Sequence, residues 1–111
     1  MKKTAREMSR TAIKQIDEIV IALCLDYSRR DAAIREMSVP RRVRMEYVYI
    51  NTRLLVAASE ICGFASAERL IEEIGGRVGY AKSELESISE TSYKALKSRA
   101  KRRIAKALYL E

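Results

Sequence analysis

The chain has 111 residues, 48% of them hydrophobic, which is enough for one buried core and leaves no room for a second domain. Lysine and arginine number 22 against 15 acidic residues, and the net charge of +7 favours a polyanionic partner, nucleic acid before anionic lipid. Histidine, the usual general base at neutral pH, is absent, and Cys24 and Cys62 form no CxxC pair. We therefore expect no enzyme, no metal and no cofactor.

The sequence also predicts a cytoplasmic protein that stays out of membranes. Its longest apolar run, residues 19–25, is far shorter than the ~18 residues that a membrane span needs, and no apolar signal-peptide segment follows the first basic residues. One proline and four glycines leave few helix breakers. We expect a single all-α domain over residues 1–111, a small helical bundle with a C-terminal helix-turn-helix-like element.

Two helices are predicted before Pro40. Apolar side chains recur at spacings of three and four over residues 4–26, which predicts the first helix. Ser28 is placed as the cap of a second helix that ends near residue 37. A basic cluster surrounds the proline and could widen a phosphate-binding surface: Arg29, Arg30, Arg35, Arg41, Arg42 and Arg44. Pairing of Arg29 and Arg30 with Asp26 and Asp31, and of Arg42 with Glu46, on an exposed surface is the favoured interpretation.

Two more helices complete the predicted core, residues 1–78. Steps of four and three define a narrow apolar seam on a central helix: Val43, Tyr47, Ile50, Leu54, Ala57 and Ile61. Gly63 is expected to end this helix, and Ser66 to cap the next one. The inward residues of that fourth helix would be Leu70, Ile71 and Ile74, with Gly75 and Gly76 at its end. The seam and the long first helix suggest self-association as a homodimer.

The last helix carries the strongest functional signal. Ser89 is expected to cap it, and Glu90 to complement the positive end of its dipole. Its inward stripe would be Tyr93, Leu96, Ala100, Ile104 and Ala107. Seven basic residues and no acidic one lie between positions 94 and 106: Lys94, Lys97, Arg99, Lys101, Arg102, Arg103 and Lys106.

This pattern predicts a helix-turn-helix over residues 80–110. Such a motif needs a short supporting helix, here expected at 80–86, then a tight turn over Ile88, and a recognition helix whose stripe begins about four residues after its cap. The exposed leading half of the recognition helix would read bases in a major groove through Thr91, Lys94, Lys97 and Ser98. Further along, the phosphate-binding residues would be Lys101, Arg102 and Lys106.

The segment from Ser87 to Leu110 resembles the C-terminal helix-turn-helix of the ArpU and RinA families of phage-type late transcription regulators, which are similar to the promoter-reading region of sigma factors. The pattern that carries the resemblance is a serine-capped recognition helix followed by an alternating basic and aliphatic tail. The resemblance implies a transcription regulator of phage or mobile-element type that binds double-stranded DNA without catalytic turnover.

Two alternatives stay open at this point. Residues 81–110 could form one unbroken helix, since none of the residues there forbids it energetically, and the turn would then be absent. A helical interaction module could also bind an acidic protein partner, such as an RNA polymerase subunit, through the same basic face. Membrane binding is disfavoured because the apolar side of the last helix carries small alanines and no Trp or Phe anchor.

Overall fold

In a computed structural model the chain folds into a bundle of α-helices, and the structure describes residues 9–86 and 89–111. The helices are α1 (Arg10–Leu25), α2 (Tyr27–Glu36), α3 (Arg41–Cys62), α4 (Phe64–Gly75) and α5 (Glu90–Ala107), with a three-residue 3₁₀ helix at Tyr80–Lys82 before α5. These described ranges contain no strand. The predicted all-α class is confirmed.

Backbone breakers set both ends of α3. The helix begins directly after Pro40, because a proline fits a helix only in its first turn or just before it. It ends at Cys62, and Gly63 is its C-cap. Gly63 has a φ of +85°, a conformation that disfavours a side chain, and α4 starts immediately after it at Phe64. The predicted cap at Ser66 is therefore wrong, because the glycine reverses the chain before the serine is reached.

The first two helices are separated by a single residue. Ser9 caps α1 by accepting a hydrogen bond from the amide of Ala12 at 3.0 Å, and α1 ends at Leu25. The predicted start at residue 4 lies outside the described residues. The Ser28 cap predicted for α2 is also wrong, since α2 begins at Tyr27. The turn at Asp26 alone redirects the chain, so no hydroxyl is needed there.

The core lies where α3 packs against α4, α5 and α2, while α1 packs against α4 and α5. The buried apolar residues of this cluster are Val20, Cys24, Tyr27, Leu54, Ala57, Ala58, Ala67, Leu70, Ile71, Ile74, Ala100, Ile104 and Ala105. The predicted seam of α3 contributes Leu54 and Ala57 to it, and Ile50 and Ile61 pack against it while partly buried. From Ile50 to Ile61 the seam is thus covered by helices of the same chain, whereas Val43 and Tyr47 at its beginning are half-buried.

A glycine allows the close crossing of α1 and α4. A Cβ built on Gly75 would lie 2.5 Å from the backbone nitrogen of Leu25 and 2.7 Å from the carbonyl carbon of Cys24. Those distances are well inside van der Waals contact and involve backbone atoms that cannot swing away. Gly75 therefore fixes how closely α4 approaches the end of α1, in addition to ending the helix.

A buried polar network joins α2 to α3. Arg30, 3% exposed, donates from Nε to Oδ1 of Asn51 at 2.6 Å and also to the carbonyl of Leu23. Asn51 in turn donates to the carbonyl of Tyr27 at 3.1 Å. The predicted pairing of Arg30 with Asp31 is therefore wrong, because Arg30 points into the protein. Burial lowers the pKa of Arg30, and its hydrogen bonds offset that cost.

Both cysteines are free thiols, and burial raises the pKa of each. Cys24 is buried, and burial raises the pKa of its thiol to about 12, which keeps it protonated at neutral pH. Cys62 is half-buried, and burial raises its pKa too.

Among residues 9–86 and 89–111, no helix combines the length and apolar character needed to cross a membrane.

Candidate nucleic-acid interface

The side chain of Ser89 caps the start of α5 and separates this helix from the residues before it. Ser89 has extended backbone angles, φ −156° and ψ 167°, and its side chain accepts a hydrogen bond from the amide of Ser92 at 3.1 Å. Glu90 occupies the first turn, where a carboxylate is favourable beside the positive end of the helix dipole. One unbroken helix over 81–110 is therefore excluded. Ile88, predicted to pack beneath the turn, lies outside the described residues.

The segment before this cap differs from the one that the sequence predicts. The polar turn or two of helix expected at 80–86 is reduced to the 3₁₀ helix Tyr80–Lys82, and residues 83–86 are not helical. Among the described residues between α4 and α5, no element has the length of a supporting helix. The position of α5 is instead set by the bundle itself.

A buried carboxylate anchors the first turns of α5. Glu73 on α4, 4% exposed, accepts hydrogen bonds from the hydroxyl of Ser83 at 2.7 Å, the amide of Glu84 at 2.8 Å and the hydroxyl of Tyr93 at 2.8 Å. Burial alone would raise the pKa of Glu73, but these three donors outweigh it and hold the pKa below its ordinary value. Tyr93, 1% exposed, also donates to the carbonyl of Val78 at 2.9 Å. Both the loop and the helix are thereby tied to α4.

Lys97 lies beside this anchor and is half-buried. Its Nζ donates to the carbonyl of Val78 at 2.8 Å and lies 5.1 Å from the ring centroid of Tyr93. Burial, with the nearby charge of Lys101, lowers its pKa. Of the four residues predicted to read bases, Lys97 is thus the one already engaged with the protein's own backbone.

The other three predicted base-reading residues share the solvent side of the leading half of α5. Thr91, Lys94 and Ser98 are all exposed. Lys94 forms an i,i+4 ion pair with Glu90 at 3.3 Å, a surface pair that costs little to break. Arg99 belongs to the seven basic residues between positions 94 and 106 but not to the predicted DNA contacts, and it is exposed beside Ser98. Its helical position opposite the buried stripe was the signal that could have identified it.

The predicted phosphate-binding residues divide into two groups. Lys101 and Arg102 are only 22% and 29% exposed and both pair with Asp17 of α1, Lys101 at 3.8 Å. Arg102 pairs with Glu111 as well, at 2.9 Å. Lys106, in contrast, is exposed. To bind phosphate directly, Lys101 and Arg102 would have to leave carboxylates that join α5 to α1, whereas Lys106 can bind as it stands.

The basic cluster around Pro40 is partly neutralised. Arg29 pairs with Asp26 at 3.2 Å, which confirms that predicted pair, and Asp31 pairs with Arg35 at 2.9 Å. Arg41 and Arg42 are exposed at the start of α3, and the predicted pair of Arg42 with Glu46 is not among the ion pairs of the described residues. This cluster lies on α2 and the beginning of α3, and the ion pairs of Arg29 and Arg35 are made with Asp26 and Asp31, not with residues of α5.

The exposed face of α5 carries the positive charge that would attract an anion. No group of three or more His, Cys, Asp or Glu side chains in residues 9–86 and 89–111 could hold a metal ion. Comparison with protein-family models, curated proteins and solved structures gave no match for this chain.

Proposed function

We propose that this protein binds duplex DNA through the outer face of α5 and acts as a transcription regulator by binding alone. The observation that carries the proposal is the exposed cationic surface of α5 that follows Glu90. It consists of the exposed residues Thr91, Lys94, Ser98, Arg99 and Lys106. Arg103 is exposed as well, but it pairs with Glu60 of α3. Between positions 91 and 106 the chain has no acidic residue to repel a phosphate backbone.

The dimensions of α5 suit a major groove. A helix with its side chains is ~10–12 Å wide and the groove is ~12 Å wide, so one helix fills it. The leading half of α5 presents Thr91, Lys94 and Ser98, which are short or flexible hydrogen-bonding side chains that can reach base edges. Arg99 and Lys106 lie further along and would contact phosphates, which set register and affinity.

Rigidity of α5 supports this proposal. Tyr93 and Lys97 tie its first half to Glu73 and Val78, and the Asp17 pairs tie its second half to α1. The helix can therefore meet DNA with little ordering cost. In this arrangement α1 and α4 brace α5 in place of a supporting helix directly before it.

The test is fluorescence anisotropy of a labelled duplex at increasing salt. Three cations, Lys94, Arg99 and Lys106, predict a log-log salt slope of about −2.7. Replacing Arg99 and Lys106 with alanine should weaken binding to every sequence and make that slope shallower by about 1.8. Replacing Lys94 and Ser98 with alanine should instead relax the preference for one duplex over random competitor.

A matched control removes the same charge elsewhere. Arg29→Ala with Arg35→Ala deletes two exposed cations of α2, and this double variant should bind DNA like the unmodified protein. If the Arg29/Arg35 variant loses as much DNA affinity as the Arg99/Lys106 variant, only net charge matters and the α5 interface is wrong. If the unmodified protein fails to bind any duplex at low salt, DNA binding itself is wrong.

An acidic protein partner is the second candidate, and one feature favours it. The exposed cations of α5, Lys94, Arg99 and Lys106, would attract the carboxylates of an acidic protein as well as the phosphates of DNA. Binding to DNA without any sequence preference, together with loss of DNA in competition with an acidic peptide, would favour this second function.

A further inference from the structure

One face of α3 is apolar and yet remains exposed. It carries four large side chains that are 60%, 43%, 46% and 52% exposed, respectively: Met45, Val48, Tyr49 and Val56. Leu54, Ala57 and Ala58, on the opposite face of the same helix, are at most 1% exposed. α3 therefore has two apolar faces, of which one is covered by the chain's own helices. We call the other the outer stripe, formed by Met45, Val48, Tyr49, Thr52 and Val56.

The spacing of the outer stripe reads the same in both directions. From Met45 to Tyr49, Thr52 and Val56 the steps are four, three and four residues. Steps of four and three are those of a two-helix seam. Because the pattern is palindromic, a two-fold rotation between Tyr49 and Thr52 places each Met45 opposite the partner's Val56 and each Tyr49 opposite the partner's Thr52. This is the self-complementarity that a two-fold dimer requires.

The charges at the ends of the stripe select the direction of pairing. Arg41 and Arg42 are exposed at its beginning, and Glu60 is exposed at its end, where it pairs with Arg103. Antiparallel helices bring the arginine end of one copy to the glutamate end of the other. Parallel helices would place Arg41 and Arg42 beside their own copies, and like charges in register disfavour that arrangement.

We propose that a second copy of this chain covers the outer stripe by two-fold, antiparallel pairing of the α3 helices. This goes beyond the proposed DNA binding. The stripe contains no residue of α5, although Arg103 and Lys106 of α5 lie beside its Val56 end. A 22-residue helix is ~33 Å long, so the pair buries a smaller surface than a standard interface. We expect association in the micromolar range.

Analytical ultracentrifugation over a range of protein concentrations tests the dimer. Val56→Glu puts a carboxylate opposite the partner's Met45 and should raise the dimer dissociation constant at least about tenfold. The helical circular dichroism of this variant should not change, since the position is half exposed. Leu25→Glu is the matched control, because Leu25 is 65% exposed but lies outside the stripe, and it should leave dimerisation intact.

Cysteine cross-linking tests the direction of pairing. In a Cys62→Ser background, a Met45→Cys protein mixed with a Val56→Cys protein should form a covalent dimer on oxidation, and neither protein should do so alone. Cross-linking of Met45→Cys with itself would overturn the antiparallel arrangement. A protein that sediments as a monomer up to millimolar concentration, or an unchanged dissociation constant for Val56→Glu, would overturn the dimer, whether or not DNA binding is found.

Discussion

Tyr93→Phe isolates the bond that fixes the beginning of α5. The substitution removes one hydroxyl from a side chain that is 1% exposed and leaves the ring in place. Burial, reinforced by the hydrogen bond to Glu73, raises the pKa of Tyr93 to about 12, so the hydroxyl is a permanent donor at neutral pH. It donates to the Glu73 carboxylate at 2.8 Å and to the Val78 carbonyl at 2.9 Å.

The stability lost in Tyr93→Phe depends on whether the two acceptors keep other hydrogen-bond donors. A hydrogen bond to a charged group contributes ~1.5–3 kcal/mol. Glu73 keeps the donors from Ser83 and Glu84, and Val78 keeps the donor from Lys97, so neither oxygen is left unpaired after the substitution. We therefore expect the free energy of unfolding to fall by about 1.5 kcal/mol, at the low end of that range.

Urea unfolding followed by circular dichroism at 222 nm measures this change. Tyr93→Phe, Glu73→Gln and the double variant form a thermodynamic cycle, and contact between the two side chains predicts a coupling energy of about 1 kcal/mol. A loss below about 0.5 kcal/mol for Tyr93→Phe, or effects of the two substitutions that add within about 0.3 kcal/mol, would refute the anchoring argument.

Three further outcomes follow from the contacts described above. Gly75→Ala should destabilise by about 3 kcal/mol or prevent folding, because its Cβ would meet the backbone of Leu25; a thermal midpoint unchanged from the unmodified protein would contradict this. Asp17→Asn should lower stability by about 1 kcal/mol while releasing Lys101 and leaving Arg102 paired with Glu111 alone, so DNA affinity should rise at low salt in anisotropy titrations. Folding lowers the pKa of Glu73, so the stability that its ionised carboxylate contributes is present above the ordinary pKa of 4.5 and is lost as the pH falls through the folded pKa. The difference in free energy of unfolding between the unmodified protein and Glu73→Gln should therefore shrink to zero in unfolding curves measured at low pH.

Local sequence patterns determined the helical class and much of its detail. The steps of four and three in α3, bounded by Pro40 and Gly63, predicted that helix to within two residues at each end. The inward stripe of α5 was also correct at Tyr93, Ala100 and Ile104, all of them buried. These features depend on residues within a turn or two of each other, so the sequence alone contains what is needed.

Partners across the bundle were decided only by tertiary structure. Arg30 was expected to pair with its neighbour Asp31, yet it is buried and bonded to Asn51, 21 positions away. Arg102 was expected to bind phosphate, and it pairs with Asp17, 85 positions away. The packing of α3 shows that its seam is largely buried and that the outer stripe is exposed, a distinction that the sequence pattern did not make. A pattern shows that a helix has a particular face, but which neighbour meets that face depends on how the helices pack, and that is a property of the whole chain.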